Sequence, residues 1–202
     1  MSGARPLPSC PLLATAGAEP KASERETPQT LSIEQLFESY YASVWRLLRR
    51  LGVKPAQLDD AAQEVFWIAI RRIDDVRPGS EQAFLYGVAL RIASNLHRRR
   101  EQLATAAELD AVRLLADNGP SPEEALERTR ARELLDSVLD QLPLELRTAL
   151  VLFELEGLEV RQIAELEQIP LGTASSRLRR AREEFSAIAR RVRATLLSRS
   201  GT

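Results

Sequence analysis

Cysteine and histidine are almost absent from this chain of 202 residues: Cys10 and His97 are the single representatives of each type. One cysteine and one histidine cannot assemble a zinc cluster, a disulfide framework or a Cys/His nucleophilic pair. The sequence also shows no catalytic pair of carboxylates and no glycine-rich phosphate loop. We therefore expect a protein that is not an enzyme and that needs neither a metal nor a cofactor.

Long hydrophobic runs are also missing. No apolar stretch reaches membrane-spanning length, and the Pro-Leu-Leu patch near Pro11 is too short for a signal peptide, so we expect a cytoplasmic protein without membrane insertion. Glycine is sparse, and no run of alternating β-branched residues indicates a strand. Stretches rich in alanine, leucine, glutamate and arginine instead predict an all-α fold.

The charge is unevenly distributed, although the formal net charge is only −1. Residues 173–199 carry eight arginines and two glutamates, a local charge of +6, whereas residues 101–128 have a local charge of −5. A basic segment attracts nucleic acid and an acidic one is repelled by it. The two segments are therefore expected to contact different partners.

Breaks in the helical pattern predict the domain organisation. Residues 1–30 mix proline, serine, alanine, glycine and threonine without periodicity, which indicates a disordered leader. Asn118, Gly119 and two prolines interrupt the acidic segment, which we interpret as a flexible linker. The predicted units are thus a leader (1–30), a helical domain (31–100), an acidic linker (101–125), a second helical domain (126–195) and a tail (196–202).

Three helices are predicted in the first domain. The first runs from Ile33 to a glycine stop at Gly52, the second from Pro55 to about Ile73, and the third ends in the basic run 97–100. The predicted inward positions of the first helix are Ile33, Leu36, Phe37, Tyr40, Tyr41, Val44, Leu47, Leu48 and Leu51. Those of the third helix are Phe84, Leu85, Val88, Ala89, Ile92 and Leu96.

Two helices precede the most basic part of the second domain. One opens near Pro122 and is stopped by Pro143, and the next runs from Glu145 to Glu156. The apolar positions of the first are Leu126, Leu134, Leu135, Val138 and Leu142.

Residues 160–185 then read as a short apolar helix, a Pro/Gly turn and an arginine-rich second helix. After a start at Gly172 and Thr173, apolar residues recur at helical spacing, so one face packs inward. Hydroxyl and guanidinium groups on the other face suit phosphate oxygens and the acceptor pair of guanine. The predicted DNA-contacting residues are Thr173, Ser175, Ser176, Arg177, Arg179, Arg180 and Arg182. The alternative is a solvated basic face on an ordinary bundle helix.

The order of these parts resembles the extracytoplasmic-function (ECF) group of bacterial RNA polymerase sigma factors, over roughly residues 33–190. LFESYYASVWRLLRRLG resembles the opening helix of that family, DDAAQEVFWIAIRRI its most recognisable segment, and AFLYGVALRIASNLHRRR its promoter-melting helix. LDQLPLELRTALVLFELEGLEVRQIAELEQIPLGTASSRLRRAR is similar to the domain that reads the upstream promoter box. The resemblance implies two small helical domains, sigma region 2 for the −10 element and sigma region 4 for the −35 element.

The resemblance also implies partners. These are core RNA polymerase, contacted at the beta-prime clamp and the beta flap, promoter DNA, and an anti-sigma factor that controls the protein. The implied polymerase-binding residues are Asp60, Gln63, Glu64 and Phe66. For Trp67 and Ile70 a core position and a surface position remain equally open.

For promoter melting, the resemblance implies a pocket formed by the Asp75–Gln82 loop and the helix through Asn95. The implied contacts to the single strand are Arg91, Asn95, His97, Arg98, Arg99 and Arg100. Phe84 is expected in the core rather than as a stacking platform. One departure concerns the turn of the second domain, where Gln168 replaces the usual glycine and is strained by about 1 kcal/mol if its backbone is left-handed.

Two other classes compete with a sigma factor. A stand-alone helix-turn-helix regulator would bind a palindrome as a dimer, but it has no need of the acidic segment around Gln63 and Glu64. A helical adaptor for protein interactions would leave the basic helix merely solvated.

Overall fold

The computed structural model describes residues 32–76, 79–104 and 124–200, and this part of the chain consists of helices and short connections without a strand. Its α-helices are α1 (Ile33–Arg50), α2 (Pro55–Arg71), α3 (Glu81–Ala104), α4 (Glu124–Leu139), α5 (Leu144–Leu150), α6 (Val160–Glu167) and α7 (Leu171–Ser200). The predicted leader and residues 105–123 of the predicted linker lie outside the described residues. The all-α prediction is confirmed.

α1 begins and ends through local side-chain and backbone chemistry. Ser32 is its N-cap and forms a capping box with Gln35, which satisfies two otherwise unpaired backbone N–H groups. Gly52 follows the helix at φ +85°, a left-handed conformation that glycine adopts without strain. The predicted stripe is buried at its centre, but Ile33 and Phe37 at the N-terminal end are exposed.

The first bundle consists of α1, α2 and α3, which pack against one another around a leucine- and alanine-rich core. α3 is longer than predicted, because it continues through the basic run to Ala104. Residues 101–104, expected to begin the linker, therefore belong to a regular helix. None of the helices in the described ranges is long and apolar enough to span a membrane.

The second bundle consists of α4 to α7. Its second helix covers almost the predicted range, but only Leu144–Leu150 (α5) is α-helical, and the residues that follow, Val151–Leu155, form a π-helical segment. The backbone N–H of Glu156 donates to the carbonyl of Val151 at 3.1 Å and closes this wider turn. On α4, Leu134 is exposed although it was expected inside, whereas Val138 and Leu139 are buried.

The two bundles pack directly against each other. A single cluster of buried residues runs from Leu36 in α1 to Ile188 in α7, and α3 lies against α6. The sequence predicted two helical units, which the structure shows, but it did not predict this contact between them.

Candidate nucleic-acid and protein interfaces

α7 presents the basic face that the sequence predicted. Ala174, Leu178 and Ala181 are buried against the rest of the second bundle. The polar positions between them point away from that core, and the exposed ones are Ser175, Ser176, Arg179, Arg180 and Arg182, with Thr173 half-buried. An exposed row of hydroxyl and guanidinium groups on a long helix fits the major groove of DNA.

The turn before α7 has the geometry of a helix-turn-helix. Gln168 caps α6 in the left-handed region at φ 58° and ψ 45°, the conformation for which strain was predicted. The backbone N–H of Ile169 donates to the carbonyl of Ala164 at 2.9 Å, and Pro170 precedes the first residue of α7. This turn fixes the angle at which α7 leaves α6.

Each of the four predicted DNA-contacting arginines of α7 has a carboxylate partner within the second bundle. Three of these pairs are exposed: Arg179 with Glu183 at 3.0 Å, Arg180 with Glu184 at 3.6 Å, and Arg182 with Glu154 at 2.7 Å. Exposed pairs of this kind contribute little to stability, so phosphate oxygens can displace the carboxylates.

Arg177 differs from the other arginines, because it is half-buried and bridges Glu145 and Glu167. Burial raises the pKa of the Glu167 carboxyl, and the Arg177 guanidinium opposes that shift. The predicted DNA contact by Arg177 therefore competes with a structural role.

α3 carries the second basic face. Arg91, Asn95 and Arg98 are exposed and follow each other at intervals of four and three residues, which places them on one side of the helix. Arg99 and Arg100 are also exposed and extend the positive charge toward the end of the helix. A helix side with alternating positive charge and an amide suits a single-stranded backbone and an unstacked base.

His97 does not share that face. It is half-buried, and its pKa is lowered first by burial and then by the positive charge of Arg147 in α5. The structure thus places His97 toward the second bundle rather than with Arg91 and Asn95. His97 follows Asn95 by two residues, which is about 200° around the helix, and this spacing was the available signal.

The predicted melting pocket is described in part. Residues 77 and 78 of the loop lie outside the described residues, and Gln82 donates through Nε2 to the Tyr86 hydroxyl at 3.1 Å. Phe84 is half-buried and packs against the core of the first bundle, as predicted. The Arg72 guanidinium lies 5.8 Å from the centroid of its ring.

α2 forms an acidic face with an apolar centre. Asp60, Gln63 and Glu64 are exposed, as their predicted role requires. Phe66 is only 4% exposed, so its prediction as a surface docking residue is wrong. Its ring packs against those of Phe37 and Tyr41, at centroid distances of 5.0 and 5.9 Å.

Trp67 takes the place on this face that Phe66 was expected to occupy. It is 55% exposed, and the Arg71 guanidinium lies 3.6 Å from the centroid of its ring. Trp67 follows Gln63 by four residues and Glu64 by three, so the helical spacing alone places it among them. Ile70 is also exposed at the edge of this face.

Two family profiles match the chain. The profile described as Sigma-70 region 2 matches residues 36–102, which cover α2 and all but the ends of α1 and α3. The profile described as Sigma-70, region 4 matches residues 132–185, which include α5, α6 and the first half of α7.

Curated proteins with similar sequences are sigma factors. The RNA polymerase sigma-H factor of Pseudomonas aeruginosa is 33% identical over 75% of this chain and 83% of its own length. The ECF RNA polymerase sigma-E factor of Escherichia coli K12 is 31% identical over 65% of this chain and 73% of its own length. The ECF RNA polymerase sigma factor SigE of Mycolicibacterium smegmatis is 29% identical over 76% of this chain, which spans 60% of that relative.

Solved structures share the fold. The sigma factor RpoE, in complex with the anti-sigma factor NepR from Bartonella quintana, is 19% identical with a TM-score of 0.63, over 78% of this chain and 96% of that one. CnrH, in complex with the cytosolic domain of CnrY, is 22% identical with a TM-score of 0.57, over 77% of this chain and 86% of that one. Both bundles match sigma-70 profiles, and the ECF sigma-E factor of Escherichia coli is 31% identical over 73% of its own length. The chain therefore belongs to the ECF group of the sigma-70 family of RNA polymerase sigma factors.

Proposed function

We propose that three exposed surfaces of this chain divide promoter-specific initiation between them: the acidic face of α2, the basic face of α3 and the basic face of α7. The observation that carries this proposal is the presence of an acidic face with an exposed tryptophan beside two basic helix faces. DNA repels the acidic face, which therefore requires a protein partner, whereas the two basic faces suit DNA.

The α2 face is proposed to bind the clamp of the beta-prime subunit of core RNA polymerase. Asp60, Gln63 and Glu64 are exposed at positions that share a helix face with Trp67, which is 55% exposed although the Arg71 guanidinium lies over its ring. A tryptophan that becomes buried within a ring of polar groups is typical of residues that dominate a binding energy. The phosphodiester chemistry belongs to the polymerase, and this chain acts as its dissociable, cytoplasmic subunit.

The face of α3 is proposed to hold the melted −10 element. Arg91, Asn95 and Arg98 offer charge for the backbone and an amide for a base edge. Gly87 and Asn95 also replace residues that are commoner in the family, so the base preference at this element is expected to be its own.

The face of α7 is proposed to read the −35 element in the duplex. Ser175, Ser176, Arg179 and Arg180 are exposed polar side chains in the N-terminal third of α7. The second bundle is also proposed to contact the beta flap of the polymerase. Because the polymerase links the bundles to one DNA molecule, neither face needs high affinity alone.

Control by an anti-sigma factor is part of the proposal. The similar protein RpoE was solved with the anti-sigma factor NepR, and CnrH was solved with the cytosolic domain of CnrY. The fold shared with these proteins supports a similar mode of control for this chain.

A transcription assay tests the proposal. The purified chain is added to core polymerase with linear genomic fragments, and promoter-specific transcripts are expected. Glu64→Arg should weaken binding to the core polymerase but leave DNA binding by the α7 face intact. Arg180→Ala should do the opposite, with a loss of about 1–3 kcal/mol if a bidentate base contact is removed.

The matched control is Glu38→Arg, the same charge reversal at an exposed glutamate of α1 outside the α2 face. It should leave core binding unchanged. Tight duplex binding without polymerase and without any transcript would contradict the proposal and favour a dimeric repressor.

A further inference from the structure

Exposed apolar side chains gather at one end of the first bundle. Of the large hydrophobic residues that are exposed in the described ranges, four lie at the end of the α1–α2 pair where α1 begins and α2 ends: Ile33, Phe37, Trp67 and Ile70. The others are spread over α3, α4 and α7. Single exposed apolar residues are ordinary, whereas a group of them marks a surface that binds something.

The antiparallel packing of α1 and α2 brings the two exposed isoleucines together. Near the connection between the helices, the indole N–H of Trp45 donates to Asp59 at 3.0 Å. Further along, the ring of Phe37 lies 5.0 Å from that of Phe66. One helical turn beyond this second contact, α1 reaches Ile33 and α2 reaches Ile70. The isoleucines therefore lie side by side at the open end of the pair.

Aromatic rings form the base of this surface. The centroid of Phe37 is 4.7 Å from that of Tyr41, which in turn is 5.9 Å from that of Phe66. Phe37 remains 43% exposed in spite of its contacts. We call the exposed surface of Ile33, Phe37, Tyr41 and Ile70 the α1–α2 patch. Flat aromatic and branched aliphatic groups of this kind suit proline rings and leucine side chains.

The predicted leader contains one segment of matching chemistry. Its only leucines are Leu7, Leu12 and Leu13, and it has no isoleucine, valine or aromatic residue. Prolines alternate with these leucines, and Pro8 and Pro11 have the spacing of a Pro-x-x-Pro motif. Segments with this motif dock on aromatic-lined grooves, because proline restricts the free chain and so reduces the entropy lost on binding.

The charges of the two partners are complementary. Residues 5–13 carry Arg5 and no acidic residue. On α1, the exposed glutamates Glu34 and Glu38 directly follow Ile33 and Phe37 of the patch. An arginine at one end of the segment can therefore pair with a carboxylate at the border of the patch.

The connection of the chain favours this occupant over a separate molecule. Residues 14–31 join the segment to Ser32, which caps α1 directly beside Ile33. A flexible chain of that length has an end-to-end distance of roughly 25 Å, and the patch extends only about 6 Å along α1 from Ile33 to Phe37. Such a tether gives an effective concentration on the order of millimolar, so weak apolar contacts are enough for docking.

We propose that residues 5–13 dock on the α1–α2 patch of the same molecule, with their proline and leucine side chains against the rings and Arg5 beside the glutamates of α1. The segment then covers an apolar surface through which the free protein would otherwise associate. This docking is a property of the chain alone and does not depend on the proposed function.

Paramagnetic NMR of the full-length protein tests the docking. Cys10 is the only cysteine, so Cys10→Ser combined with Ala14→Cys leaves one attachment point for a nitroxide, just after the segment. The backbone amide signals of Ile33 and Ile70 should broaden strongly. The signal of Arg49, about 24 Å from Ile33 along α1, should broaden far less. Patch signals no broader than that of Arg49 would overturn the proposal.

Variants of the spin-labelled protein separate docking from mere closeness in the chain. Leu12→Ser with Leu13→Ser changes only the leader, so the bundles should fold as before, and the broadening of the patch signals should be lost. Ile70→Ser should weaken the broadening at Ile33. Leu134→Ser is the matched control, because Leu134 and Ile70 are both 39% exposed, and it should change nothing. Equal broadening in all variants would contradict specific docking.

Mixed samples identify the other possible occupants. Spin-labelled protein without an NMR isotope is added to isotope-labelled protein without a spin label. Broadening in this mixture would show that the segment binds a second copy, which contradicts docking within one molecule. Sharp patch signals in the free protein, together with weaker core polymerase binding by Ile70→Ser, would assign the patch to the polymerase and would also rule out the leader as its occupant.

Discussion

The carboxylate of Glu167, at the last residue of α6, lies 3.1 Å from Nη1 of Arg177 in α7, while Nη2 of Arg177 lies 3.3 Å from Glu145 in α5. The Glu167 side chain is only 11% exposed, so this carboxylate depends on the arginine for its charge balance. Arg177 therefore joins three helices across the helix-turn-helix. We infer from these two ion pairs that Arg177 helps to position α7, while its predicted DNA contact stays a prediction.

We expect Arg177→Ala to affect mainly stability and Arg180→Ala to affect mainly DNA binding. Arg177→Ala should lower the free energy of unfolding by about 2 kcal/mol, because a charge-assisted bond to a shielded carboxylate is lost. Arg180→Ala should change it by less than about 0.5 kcal/mol, since its ion pair is exposed, and should instead weaken DNA binding. Urea unfolding and duplex binding at several salt concentrations measure the two effects. Equal stability of the two variants would contradict the bracing role of Arg177.

Gln168→Gly should stabilise the protein. Gln168 has φ 58°, a region that costs a residue with a Cβ roughly 1–2 kcal/mol and costs glycine very little. After the greater chain entropy of unfolded glycine is counted, we expect a gain of about 1 kcal/mol in the free energy of unfolding. Glu165→Gly, inside the right-handed part of α6, is the control and should destabilise by about the same amount. A loss of stability in Gln168→Gly would show that the side chain, not the backbone, matters at this turn.

The neighbours Phe66 and Trp67 should respond differently to truncation. Phe66→Ala removes a buried ring that packs against Phe37 and Tyr41 and should cost about 3–5 kcal/mol of stability. Trp67→Ala should cost less than about 1 kcal/mol, because more than half of the side chain is exposed, but it should weaken binding to core polymerase by at least tenfold. Thermal unfolding and a core-binding titration separate the outcomes. Full core affinity in a folded Trp67→Ala protein would remove Trp67 from the docking face.

The single histidine should make stability depend on pH near neutrality. Burial, and then the charge of Arg147, lowers the pKa of His97 below its usual value. The unfolded chain therefore binds more protons between the two pKa values, and the stabilising contribution is present above about pH 6.5 and is lost as the pH falls through the folded pKa. The free energy of unfolding, measured from pH 7.5 to 5.5, should fall more steeply for the parent than for His97→Gln. Identical profiles would show that His97 titrates alike in both states.

Local patterns predicted much of the fold. The inward residues Ala174, Leu178 and Ala181 of α7 follow from helical spacing. The position of Gln168, where the family usually has glycine, indicated where a left-handed residue could lie, and the structure has one there. Which of the neighbours Phe66 and Trp67 is buried could not be predicted in the same way. Five of the six residues from Val65 to Ile70 are large and apolar, and the sixth is Ala69. Because α2 has hydrophobic residues on every side there, periodicity does not fix which face is buried.

The contact between the bundles was beyond any local pattern. Arg49 and Arg50 look like ordinary basic residues at a helix C-terminus, where they are favoured by the helix dipole. Their partners Asp136 and Glu156 are 87 and 106 residues away in the chain. Charged side chains are compatible with solvent as well as with an ion pair, so composition and spacing do not distinguish the two.

The π-helical segment Val151–Leu155 lies directly before Glu156, whose carboxylate bonds Arg50 and Tyr86 of the first bundle. A π turn holds one residue more than the α-helical path it replaces, so it takes up that residue without turning the chain beyond it, whereas each residue of a regular α-helix turns the chain by about 100°. Deleting one residue from the π segment would therefore leave a continuous α-helix that still carries Glu156 on the side facing Arg50 and Tyr86. The contact between the bundles thus tolerates the loss of one residue at this point of the chain.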